Sequence, residues 1–165
     1  MTYRQFDREF TKTLLAKAEK SERRRAHFNV HEDYNEPVHR LYVGMLADSY
    51  VRPHRHTDKT KWEFFMVVQG SITLVLFDEN ARVTDKLSLT AGGECFSVQL
   101  PPGTWHATYC EEPVVFFEVK QGPYKPEADK NFAAWAPEEG DDAVVDFLAQ
   151  LQQSKVGDVL SQVSR

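Results

Sequence analysis

The chain reads as a mainly β protein, one small antiparallel barrel of the jelly-roll kind with a helix before it and a helix after it. Three observations lead there. Between about residues 39 and 120, short runs rich in β-branched and aromatic residues follow one another: RLYVGMLA, KWEFFMVVQ, SITLVLF, ARVTDKLSL, ECFSVQL, TWHATY and PVVFFEV. Turn residues separate them, among them Gly70, Asp78-Glu79-Asn80, Gly92-Gly93, Pro101-Pro102-Gly103 and Pro113. No helix-length period interrupts the series, so an antiparallel sandwich or barrel is expected rather than alternating βα units.

The first helix is expected over residues 3 to about 22. There Phe6, Phe10, Leu14 and Ala18 recur every fourth position and form a single apolar stripe. The lead-in RAHFNVH follows as an extended segment. After the strands comes QGPYKPEADKNFAAWAPEEG, too rich in proline for a regular element. A second helix then begins near DDAVVDFLAQLQQ, with Val144, Phe147, Leu148 and Leu151 on one face, Asp141 or Asp142 as its cap, and Gly157 at its end. The segments are 1–38 for helix and lead-in strand, 39–122 for the barrel and 123–165 for tail and helix, together forming one structural domain.

Composition narrows the function. The chain has 165 residues, a net charge of -5 and 41% hydrophobic residues, which suits a single ordinary globular domain and argues against a broad nucleic-acid surface. No run approaches the ~20 apolar residues that span a bilayer, and the first residues lack the apolar core of a signal peptide, so a cytoplasmic location is expected. Cys95 and Cys110, the two cysteines, form no CxxC and read as free thiols.

The chemistry concentrates in SYVRPHRHTDKTKWEFF and PPGTWH. Residues two apart on a strand share a face, about 6.6 Å apart, so His54 and His56 converge. Glu63 shares its face with Phe65 and Val67, and His106 follows a Pro-Gly turn that feeds a strand. Three imidazoles and one carboxylate make a mixed N/O set suited to Fe, Mn, Ni or Zn, with coordination positions left for water or substrate. Arg52 and Arg55 are expected to point away from this set, and Trp105 to point outwards.

These two stretches resemble the paired motifs of the cupin superfamily, G(x)5HxH(x)3–4E(x)6G and G(x)5PxG(x)2H(x)3N. His54, His56, Glu63 and Gly70 follow the first, and Pro101, Gly103 and His106 the second. The resemblance implies a cupin-type barrel holding one divalent transition metal on His54, His56, Glu63 and His106. It departs at TDKTKW, which lengthens the gap before Glu63, and at Cys110, which stands in place of the closing Asn. The longer gap makes Asp58 a rival ligand, in phase with the histidines, although the intact spacing from Glu63 to Gly70 favours Glu63. RAHFNVH, RPHRH and FFEVKQGPYKPEADKNFAAWAPEEG further resemble the WbuC family of cupin-fold metalloproteins, commonly encoded among genes for bacterial O-antigen and other surface polysaccharides.

Asn29 and His31, in the RAHFNVH segment, are candidate ligand contacts at the barrel mouth. His39 reads as structural, and Tyr124, Lys125 and Lys130 as a candidate lid with a preference for anions. His31 and Tyr42 are candidate general bases. The expected function is that of a metal-dependent enzyme on a small polar molecule, a sugar or a carboxylate, in surface polysaccharide (O-antigen, lipopolysaccharide) biosynthesis. A non-catalytic metal-dependent binding module is the alternative, and a homodimer is expected.

Overall fold

The computed structural model describes residues 3–124 and 130–161. Its elements run α1 (Arg8–Lys20), β1 (Arg25–Asn29), β2 (Val38–Met45), β3 (His54–Arg55), β4 (Glu63–Gln69), β5 (Ser71–Phe77), β6 (Val83–Thr90), β7 (Ser97–Leu100), β8 (Trp105–Tyr109), β9 (Val114–Gln121), β10 (Asn131–Phe132) and α2 (Val144–Gln153). Each run expected to form a strand does so. The short β3 and β10 escape the pattern because two residues are too few to show a period.

The strands form two five-stranded antiparallel sheets, ordered β1-β2-β9-β4-β7 and β10-β3-β8-β5-β6. Among the described residues neither sheet closes on itself, so the expected jelly-roll barrel is corrected to a sandwich of two open sheets. The physical reason lies in the connections. From β2 to β5, and again from β6 to β10, successive strands alternate between sheets, so the hydrogen-bonded ladder ends at each turn and both sheets keep free edges. At the β4–β5 turn, Gly70 adopts φ +78, and a Cβ there would lie 2.8 Å from the Pro113 carbonyl oxygen. Only glycine reverses the chain so tightly against β9.

Three apolar layers follow from strand alternation. Between the sheets, Leu41, Val43, Phe65, Val67, Ile72, Leu74, Val114 and Phe116 interdigitate. On the far side of the second sheet, Val75, Phe77, Trp105, Ala107 and Tyr109 pack against Ala133, Ala136 and the α2 face of Phe147, Leu148 and Leu151. Trp105 thus points away from the inter-sheet space, as expected, and is covered by the tail.

On the far side of the first sheet, α1 buries Thr11, Leu14 and Ala18. It approaches β2 so closely that a Cβ on Gly44 would meet Leu14 Cγ at 3.0 Å. The helix starts later than its stripe suggests, because Asp7 accepts a hydrogen bond from the Phe10 amide at 2.9 Å and caps it. Phe6 therefore precedes the helix and joins Phe10, Phe28 and Tyr42 in an aromatic cluster.

The second helix differs from expectation at both ends. Asp141 accepts from the Ala143 amide at 2.8 Å and shapes the preceding turn, while the N-cap position is Ala143, with no side-chain cap. The helix ends at Ser154 rather than Gly157, where Lys86 Nζ donates to the carbonyls of Leu151, Gln152 and Ser154 at 3.2, 3.0 and 2.9 Å. That cation satisfies carbonyls left over at the helix end and opposes its partial negative charge.

Candidate functional site

At one end of the sandwich the inter-sheet space turns polar. His54 on β3 and His106 on β8 are antiparallel partners, with ring centroids 4.5 Å apart. His56, just past β3, sets its ring 5.7 Å from that of His54. Glu63 comes from the opposite sheet, where β4 buries Glu63, Phe65 and Val67 in alternation. Its Oε1 lies 2.9 Å from His56 Nε2 and its Oε2 lies 3.2 Å from His106 Nε2. All four side chains are no more than 4% exposed.

The rival Asp58 sits elsewhere. It is exposed, and its Oδ1 accepts from the Thr60 amide at 2.9 Å and the Thr60 hydroxyl at 2.7 Å. The added length of TDKTKW loops outward as a surface turn, and strict alternation, which put Asp58 in phase with the histidines, does not hold past the end of β3.

Backbone carbonyls set the histidine tautomers. His54 Nδ1 donates to the Arg52 carbonyl at 2.9 Å, and His106 Nδ1 donates to the Thr104 carbonyl at 3.0 Å. A carbonyl only accepts, so in the neutral ring each Nε2 keeps a lone pair. Burial, reinforced by the Lys130 charge, holds His54 well below the usual imidazole range, and burial likewise lowers His106 against the opposing pull of Glu63. For Glu63 burial favours the neutral acid, yet His106, the hydrogen bond from His56 and Lys120 together hold it well below the usual carboxylate range. With each Nδ1–H committed to a carbonyl, Nε2 is the atom His106 turns toward the Glu63 carboxylate.

The four side chains are brought together without forming a preset metal site. Among the described residues, no group of three or more His, Cys, Asp or Glu is set as a metal-holding cluster. Glu63 meets His56 through one carboxylate oxygen and His106 through the other. What the fold brings together is a buried His-Glu cluster.

Around the cluster lies a cavity of about 100 Å³, lined also by Arg52, Phe65, Thr108, Glu118 and Lys120. Lys120 Nζ is 2.7 Å from Glu118 Oε1 and 3.9 Å from Glu63 Oε1. The cavity shares His27, Lys120, Lys130 and Phe132 with an outer vestibule of about 610 Å³, where Asn29, His31, His39 and Tyr124 also contribute. Asn29 is exposed there, whereas His31 and His39 are buried and stack at 4.2 Å. Lys125 lies outside the described residues.

Arg52 does not point away as expected. It lies two residues before His54, hence in its phase, and its guanidinium stands 5.5 Å over the Phe132 ring at the cavity. Arg55 does point outwards, stacked 4.5 Å over Trp105 and paired with Glu79. Tyr42 faces the α1 side of its sheet, within the aromatic cluster, so it is no base for this site. Glu118 and Lys120 went unremarked in the sequence. Their signal was phase: both follow Val114 and Phe116 on the inward face of β9.

The two sheets, with a polar His-Glu cluster between them, define a protein of cupin fold. An uncharacterized conserved protein with a double-stranded beta-helix domain from Klebsiella pneumoniae superposes at TM-score 0.55 and 16% identity, over 80% of this chain and 98% of that one. Oxalate oxidase in complex with the substrate analogue glycolate gives 0.52 at 14% identity, over 68% and 57%. Oxalate decarboxylase from Bacillus subtilis gives 0.50 at 18%, over 66% and 27%. The chain thus spans just over half of the oxidase and about a quarter of the decarboxylase, and at these identities the likeness is one of fold.

By sequence the chain belongs to the family described as Domain of unknown function (DUF6016), whose model matches residues 6–89. Of the cupin and WbuC resemblances, these comparisons support the cupin fold. No curated protein matches the chain. The expected surface-polysaccharide role, cytoplasmic location and homodimer find no support in these comparisons. What stands of the location is that, among the described residues, no helix is long and apolar enough to cross a membrane.

Proposed function

We propose that the protein is a metal-dependent enzyme acting on a small organic acid, with His54, His56, Glu63 and His106 holding one divalent transition metal. The observation that carries this is the contact of His106 Nε2 with Glu63 Oε2 at 3.2 Å, both buried. Nε2 and Oε2 are both lone-pair donors at this distance in a dry site, so they need a cation between them, a role a bound metal ion fills. The donor chemistry fits such an ion. Two of the three rings donate Nδ1–H to backbone carbonyls, the arrangement that orients metal-ligating histidines. When bound, the metal supplies a Lewis acid toward a carboxylate or carbonyl oxygen.

The surrounding residues favour an anionic substrate. Lys120 and Lys130 line both the cavity and the vestibule, and Arg52 lines the cavity. Phe65 and Phe116 exclude water on the inner side, which strengthens the attraction of those charges for a carboxylate. The fold likeness to oxalate oxidase and oxalate decarboxylase adds support for a small acid.

Elemental analysis of protein purified without added metal tests the reading. About one equivalent of Fe, Mn, Ni or Zn is expected, and less than about 0.2 equivalents overturns it, because mixed N/O sites bind such metals well. Turnover of small carboxylic acids by each metal form is the second arm. Stoichiometric metal and saturable acid binding without turnover identify a binding module instead.

A further inference from the structure

In the vestibule, His31 is 6% exposed, and its Nε2 has no hydrogen-bond partner in the protein. Its tautomer follows from its neighbours. The Arg40 amide donates to His31 Nδ1 at 3.1 Å, so Nδ1 must offer its lone pair. The Arg40 carbonyl lies 3.0 Å from the same nitrogen and accepts from the Val30 amide at 2.8 Å, so it has a partner without His31. The neutral ring therefore carries its proton on Nε2, a buried donor with nothing to donate to. Such a group costs stability unless something satisfies it.

The ring cannot readily turn to find a partner. His39 stacks on it with planes 4° apart, and His39 is itself pinned by donation from its Nε2 to the Tyr34 carbonyl at 3.0 Å. Sheet register then relates this donor to the His-Glu cluster. Glu63 pairs with Lys120 across β4 and β9, and Lys120 pairs with His39 across β9 and β2. Two inter-strand steps put His39 about 10 Å from Glu63 along that row, with Lys120 midway.

We propose that His31 Nε2–H is the far contact of an elongated ligand: it donates to an oxyanion, carboxylate or phosphate, whose molecule reaches back past Lys120 to the His-Glu cluster. This rests on the reading of that cluster as the binding centre for an acid. Because His31 stacks against His39 on the β1 side of that row, the length required is at least about 10 Å, which a two-carbon acid does not meet.

Calorimetric titration with oxalate, inorganic phosphate, suberate and 6-phosphogluconate tests it. Suberate or 6-phosphogluconate is expected to bind about tenfold or more tighter than oxalate, the range of one hydrogen bond to a charged group. Whichever long probe leads tells carboxylate from phosphate at the far end. His31→Leu removes that advantage and leaves oxalate binding unchanged, while His31→Gln, which keeps a donor, recovers part of it. In the wild-type protein, the His31 Nε2–H correlation in a nitrogen-15 spectrum shifts with the long probe and not with oxalate. Equal affinity for short and long probes, a long-probe affinity indifferent to His31→Leu, an unprotonated His31 Nε2, or no saturable binding of either long probe at millimolar concentration overturns the proposal. Oxalate binding and metal content, read in the same samples, report separately on the cluster itself.

Discussion

Replacing Glu63 by Gln in chelator-treated protein isolates what the buried carboxylate contributes to the fold. The side chain keeps its shape and one acceptor for His56 but loses the charge that faces His56 at 2.9 Å, His106 at 3.2 Å and Lys120 at 3.9 Å. Losing hydrogen bonds to a charged group costs about 1.5–3 kcal/mol, and breaking a buried pair outright about 3–5. Lys120 retains Glu118 at 2.7 Å, so the lower range applies, about 1.5–3 kcal/mol at neutral pH. Urea unfolding then shows a midpoint lower by about 1 M.

The pH dependence has a determined sign. Glu63 is held well below its usual value in the folded protein, so its contribution is complete above the unfolded pKa and fades as pH falls through the folded one. The gap between wild type and Glu63→Gln therefore stays constant at neutral pH and closes in acid. His54 and His106, buried with lowered pKa values, add a separate loss below the usual imidazole pKa, since the unfolded chain takes up protons there first. Equal stability of the two proteins at neutral pH, or a gap that persists undiminished into strong acid, would falsify the assignment of Glu63 as an ionised, paired carboxylate.

Other perturbations have equally definite outcomes. Gly44→Ala places a methyl 3.0 Å from Leu14 Cγ and 3.3 Å from the Leu14 backbone, and thermal melting should show a loss of about 1–3 kcal/mol as α1 is pushed off β2. Lys86→Met strips three carbonyl contacts from the end of α2, and hydrogen exchange should speed up in its last turn, with a loss of about 1 kcal/mol. Cys95 is exposed, whereas Cys110 is buried, with its thiol pushed up to about 12 by burial, so an aromatic disulfide reagent should titrate one thiol fast in the native protein and both after denaturation.

The strands and the cluster were legible to different depths. Seven runs of β-formers were readable because each alternates or runs apolar between turn residues, and that pattern is local. Barrel closure was not, because it depends on which strands pair, and the linear orders β1-β2-β9-β4-β7 and β10-β3-β8-β5-β6 arise from long-range register. Asp58 against Glu63 turned on where an insertion bends, which alternation cannot express. Arg52 was misplaced through its phase alone, and Lys120 and Glu118 were passed over because charged residues late in a strand look like a solvent face. Only α1 on the other side of the sheet shows that β9 is covered on both faces.

By itself, the order of residues determined the β-rich middle, the two flanking helices and the His54, His56, Glu63 and His106 set, because spacing along the chain carries the periodicity of strands and the turns between them. Tertiary structure alone decided that the sheets stay open, that Asp58 remains at the surface, that Glu63 engages two imidazoles and Lys120, and that His31 holds a buried, unsatisfied donor above the vestibule. Those facts arise from distances between residues far apart in sequence, and in a low-dielectric interior a few tenths of an ångström decide whether such groups attract, repel or bind something between them.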